Sequence, residues 1–203
     1  MELQLILSFT GASILLTLMP GPDNIFVLTE SLTKGHKNGI TISIGLCLGV
    51  LVHTLAAATG LSIIIQQSAL VFSIIKYLGA AYLFYLAYVS IKEKKPTLDF
   101  TKESKSEDFN MLHLVRKGFF MNVLNPKVSL FFIAFLPQFV TTNGLNITLQ
   151  MIILGLIFIL QAIVILSSRL TKYVNNPKFW GIAKWSKVSV LSILGIALGF
   201  SNK

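Results

Sequence analysis

Two ionisable residues stand where an apolar chain has little tolerance for them. Asp23 follows Leu18-Met19-Pro20-Gly21-Pro22, and Lys127 follows Asn122-Val123-Leu124-Asn125-Pro126. Each lies inside a run otherwise suited to hydrocarbon. An intramembrane charge costs roughly 2.5–3.5 kcal/mol on insertion scales, so each asks for a partner or a function. Setting Pro22 against Pro126 places the carboxylate of Asp23 opposite the ammonium of Lys127. Proline removes a backbone donor and clashes with the preceding turn, so both segments interrupt a helix and leave amides and carbonyls without helical partners. In a bilayer such groups survive only when buried in protein or lining a wet cavity. The chemistry on offer is the binding of a small dipolar solute. The carboxylate of a zwitterion such as an amino acid suits Lys127 and a freed helix N-terminus, and its ammonium suits Asp23 and open carbonyls. With no solute bound, Asp23 can take a proton and so supply a coupling ion. The alternatives are two structural kinks in a packed bundle, or a static buried ion pair that holds the helices together.

The residues around the breaks complete a candidate substrate site: Pro20, Gly21, Pro22, Asp23 and Asn24 from one, Asn125, Pro126 and Lys127 from the other. Tyr82 is added from an aromatic face, because Tyr82 and Tyr85 share one side of a helix at i, i+3, while Tyr77 and Tyr88 sit nearer the interfaces. His53, within an apolar run, can relay protons alongside Asp23 or act as an interhelical hydrogen-bonder. Gln161 reads as an interhelical bonder, and Gly45 with Gly49 as a small-xxx-small packing pair. Metal-ligand spacing is absent, as are HExxH and a phosphate-cradling GxxxxGK[ST]. The single cysteine, Cys47, rules out disulfides within one chain. Neither cofactor nor metal is called for.

Positioning these residues takes helices that cross a membrane. Of the 203 residues, 54% are hydrophobic and only 12% charged, too little polar material to cover a soluble domain. Apolar runs predict six spans, at about Leu3 to Leu28, Gly39 to Ile65, Leu70 to Ile91, Gly118 to Val140, Ile147 to Ser168 and Val188 to Ser201. The last is short, with Trp185 as an interfacial anchor and Lys187 snorkelling. The N-terminal run lacks a basic n-region and a cleavage site, and reads as a retained helix. The net charge of +9 does not imply nucleic acid, because the basic residues fall between apolar runs. Of the 17, all but Lys76, Lys127 and Lys203 lie in the three connections on one face. The positive-inside rule makes that face cytoplasmic and puts both termini outside.

The segment from Lys92 to Asp108 mixes Lys with Glu93, Asp99, Glu103, Glu107 and Asp108, and reads as a solvated linker. It divides the chain into a three-helix repeat (1–91), a cytoplasmic linker (92–117) and a second three-helix repeat (118–203). Three spans per half turn the second half upside down, so the predicted fold is an all-α membrane protein of two inverted repeats, each with a broken first helix.

Longer stretches resemble a known family. Pro20-Gly21-Pro22-Asp23-Asn24, then Ser31, Gly35 and Gly39, then Gly45, Gly49 and His53, are similar to the lysine exporter / homoserine-threonine resistance (LysE/RhtB) superfamily. So are Lys76-Tyr77-Leu78-Gly79-Ala80-Ala81-Tyr82-Leu83 and the run from Gly118 to Lys127, ending in Leu136-Pro137-Gln138-Phe139. The likeness covers Leu3 to about Phe139, and continues through glycines such as Gly195 and Gly199. It implies proton-driven export of amino acids or close relatives across a bacterial inner membrane, without naming the amino acid.

The expected function is therefore a proton-antiport exporter whose partners are an amino acid, protons and the lipid bilayer; a homodimer is compatible with a bundle this small. A metal or inorganic-ion exporter on a related scaffold is the alternative, although it wants more converging carboxylates, His or Cys than Asp23 and His53 supply. An intramembrane enzyme is more remote, since no nucleophile has a recognisable base.

Overall fold

The computed structural model describes residues 2–18, 21–92, 109–141, 144–167 and 177–200. Among them every regular element is helical. Helix α1 (Leu3–Leu18) and α2 (Pro22–Thr33) meet at 59°, and α6 (Met111–Val123) meets the stretch from Pro126 to Phe139 at 51°. That stretch comprises α7 (Pro126–Leu130), a π-helical turn (Phe131–Phe135) and a 3₁₀ turn (Leu136–Phe139). Proline opens both second segments. A ring-locked φ and a missing N–H suit the first turn of a helix and forbid its interior, so a new helix starts where the old one stops.

Helix α3 (His36–Ala56) runs through a π-helical turn (Ala57–Leu61) into α4 (Ser62–Gln67), and α5 is Ala69–Lys92. Both His36–Ile64 and Ala69–Lys92 are long and apolar enough to cross a membrane, and each bent pair qualifies as one further span, for two to four candidate spans. Helix α8 is Ile147–Ser167, and α9 is Pro177–Gly199.

Two expectations are corrected here. The last helix is not short: it has 23 residues and begins at Pro177, eleven positions before Val188. Lys178, Lys184 and Lys187 depress its hydropathy without breaking it. Lys187 consequently lies inside the helix and is buried, not snorkelling at its end. The first span does not end at about Leu28: α2 runs on to Thr33, so that Glu30 lies within it and is buried, with Lys34 Nζ 3.5 Å from its Oε2.

Helix α3 packs most extensively on α6, and α5 on α9; α8 lies against α1 and α3. The α3–α6 approach is close enough to need glycine. A Cβ at Gly45 would meet the Val115 carbonyl oxygen at 2.1 Å, and one at Gly118 the Ile42 carbonyl oxygen at 2.2 Å. Small residues let backbones meet where lipid tails provide no hydrophobic drive between helices. A buried aromatic cluster built on Phe131, Phe132, Phe135 and Phe158 fills the centre of the bundle beside the second break.

Candidate functional site

Each break leaves a negative helix end facing a positive one. At the first, Leu16 and Thr17 carry two of the last carbonyls of α1. The Thr17 carbonyl accepts from Asn24 Nδ2 at 2.6 Å, and the Leu16 carbonyl from Lys127 Nζ at 3.5 Å. An ammonium is thus drawn to the negative end of α1, as the helix dipole favours. Asp23 sits in the first turn of α2, at the positive end, which favours a carboxylate.

At the second break, Pro126 cannot donate to the carbonyl four residues back, Asn122. That oxygen is satisfied instead by Asn125 N–H at 2.9 Å and by His53 Nε2 at 3.1 Å. A carbonyl oxygen only accepts, so the His53 Nε2 carries its proton here. Asn125 caps α7 by accepting the Lys127 N–H on Oδ1 at 3.0 Å, and its Nδ2 donates to Asp23 Oδ2. One amide side chain therefore joins the two breaks, and Asp23 lies within Coulombic reach of Lys127.

The helix ends border a cavity of about 50 Å3. Gly21, Asp23, Asn24, Asn125 and Lys127 all line it, with Asn122 and Thr17 completing the polar part of the wall. The space holds a few waters and is well below the roughly 150 Å3 that accommodates benzene.

Thus five residues singled out from sequence converge. Pro22 and Pro126 do not line the cavity, and both are exposed. They shape the site through the backbone. Pro20 lies outside the described residues. Tyr82 is also separate. Its ring pairs with Tyr85 at 5.9 Å and is turned away from the face of α5 that buries Gly79, Ala80, Leu83 and Ala87. His53 stands one step behind the wall, hydrogen-bonded to Asn122 and stacked on Phe132.

Among the lining residues that carried no such reading from sequence, three bear a hydroxyl, an amide or a thiol. Thr17 lines the cavity, and its hydroxyl accepts from Gln161 Nε2 at 2.8 Å. Asn122 lines it with a buried Oδ1 that has no hydrogen-bond partner among the described residues. Cys47 lines it from α3. The position of Asn122 four residues before proline was the available signal.

The chain matches the family described as LysE type translocator over residues 14–201, so the likeness extends well past the motifs of the first four apolar runs. It is 33% identical to the uncharacterized membrane protein YrhP of Bacillus subtilis (strain 168), over 97% of this chain and 99% of that one. It is 28% identical to an uncharacterized membrane protein of Vibrio cholerae serotype O1, over 87% of each. No solved structure matches it. With broken apolar helices, a cavity at the breaks lined by Asp23 and Lys127, and a family match across most of its length, the chain belongs to the LysE type translocator family of membrane transporters.

Proposed function

We propose that the protein is a secondary exporter of amino acids or close derivatives, working by proton antiport across a bacterial inner membrane. The observation that carries this reading is the meeting of two proline-broken helices at one cavity, with Asp23 and Lys127 in its wall. Zwitterion recognition uses complementary ends. The solute carboxylate meets Lys127 and the positive end of α2; its ammonium meets Asp23 and the uncommitted Asn122 Oδ1. Release of the ammonium leaves Asp23 to accept a proton from outside, and proton return replaces solute exit.

Alternating access has a physical basis in the packing. Exchanging residues 1–91 with 118–203 exchanges the α3–α6 contact with the α8–α1 contact, and returns the α3–α8 and α5–α9 contacts to themselves. Those contacts support a chain of two related three-helix halves, which we read as inverted repeats with six spans and the 92–117 linker in the cytoplasm. One half then rocks against the other about the breaks. An inorganic-ion route is less well served: the cavity wall brings one carboxylate, Asp23, and one thiol, Cys47.

The test is intracellular retention of each amino acid after dipeptide feeding, in cells expressing wild type, Asp23→Asn or Lys127→Ala at equal membrane levels. Wild type is expected to lower at least one pool and both variants to restore it. No lowered pool, or full export by both variants, would contradict the proposal.

A further inference from the structure

The cavity has a second part whose chemistry differs from that of the helix ends. On the side of α3 and α8 its wall is Leu46, Cys47 and Val50 from one helix and Phe158 with Ala162 from the other. Positions 46 and 50, and 158 and 162, are one turn apart, so each helix turns a single apolar face to the space. All five are buried. Asp23 and Lys127 are the charged side chains of the wall, and both come from the helix breaks, not from α3 or α8.

We infer that the transported solute carries a neutral, largely aliphatic side chain, held between α3 and α8, while its charged α-groups occupy the polar part of the cavity. The inference rests on the exporter reading and narrows it. The wall supplies one cation and one anion, which the carboxylate and ammonium of a zwitterion engage in full. A lysine or arginine side chain would bring a second positive charge, and a glutamate side chain a second negative one, into a wall of Leu46, Val50 and Phe158 with no counter-charge. A buried charge without a partner is disfavoured strongly enough to separate these classes by at least about tenfold. Among aliphatic side chains the discrimination is weaker, because one methylene changes little beyond the area buried.

Counterflow tests this without any substitution. The purified chain is reconstituted in liposomes preloaded with unlabelled leucine, valine, methionine, threonine, lysine or glutamate, and uptake of labelled leucine is followed. Leucine, valine and methionine are expected to drive exchange at least about tenfold faster than lysine or glutamate. Cys47, the single thiol, gives a second readout: leucine should slow its alkylation by N-ethylmaleimide and lysine should not. A Val50→Asp variant places a carboxylate among the apolar residues, and should shift the lysine-to-leucine ratio toward lysine by about tenfold. Lysine or glutamate exchanging as fast as leucine in wild type overturns the inference while leaving amino-acid export intact. Failure of every amino acid to exchange overturns the exporter reading, and this inference with it.

Discussion

Asn125 donates its side-chain amide to the carboxylate of Asp23 while the oxygen of the same amide accepts the backbone N–H of Lys127. A residue from the second half of the chain thereby holds the acid of the first half, and sets the helix turn that carries the base. The two functions of this side chain are separable. Asn125→Ser keeps a good N-cap for α7 but is too short to reach Asp23. A hydrogen bond to a charged group is worth about 1.5–3 kcal/mol. Transport by Asn125→Ser should accordingly fall about tenfold or more, with thermal stability near wild type. Asn125→Ala should lose both. Transport rates in liposomes and thermal unfolding in detergent, compared for the two variants, check the prediction.

His53 is expected to matter first as a donor to the Asn122 carbonyl that Pro126 leaves open. His53→Gln offers an amide N–H in a similar place and cannot carry a proton near neutral pH; His53→Leu offers neither. Retained transport in His53→Gln with loss in His53→Leu identifies a positioning role. Equal loss in both, with gradient-independent exchange preserved, identifies a proton role instead. The measurement is flux with and without an imposed pH gradient.

The position of the breaks was legible because proline beside an ionisable residue is conspicuous in an apolar chain. Which residues close them was less so. Asn125 read as a flanking amide, and only the fold brings it to Asp23. Faces were harder still. Helices α3 and α5 are apolar on nearly every side, since lipid and protein interior are both apolar, and periodicity then cannot tell the buried side from the lipid side. Tyr82, which does not line the cavity, could not be separated from the buried face for that reason. Helix α9 was cut short for the opposite reason, because three lysines within a helix look like a connection. The roles of Thr17 and Asn122 depend on which carbonyls and amides meet across the bundle.

Close packing of α3 on α6 predicts a stability effect distinct from the site. Gly118→Ala places a Cβ 2.2 Å from the Ile42 carbonyl oxygen, which a backbone atom cannot relieve cheaply, whereas a Cβ at Gly60 meets nothing within 4 Å. Overpacking of this kind costs about 1–3 kcal/mol. Gly118→Ala should lower the unfolding temperature measurably, and Gly60→Ala should leave it within error.

Gln161 predicts an exchange of stability against activity. Its Nε2 reaches Thr17 Oγ1 at 2.8 Å in the cavity wall, while its buried Oε1 has no hydrogen-bond partner among the described residues. An unsatisfied buried acceptor costs stability, so Gln161→Leu should unfold at the same temperature as wild type or higher. The Thr17 hydroxyl then loses its fixed orientation, and transport should fall several-fold. Unfolding and flux measured on the same preparation decide the matter.

The most direct measurement is gradient-driven efflux of labelled leucine from liposomes containing wild type, Asp23→Asn or Lys127→Ala in equal amounts. A pH gradient should accelerate efflux through wild type, and each substitution should reduce that flux by about tenfold or more, the scale set by losing one buried charge partner. Gradient-driven flux through both variants at the wild-type rate would show that the carboxylate and ammonium between the two breaks take no part in transport.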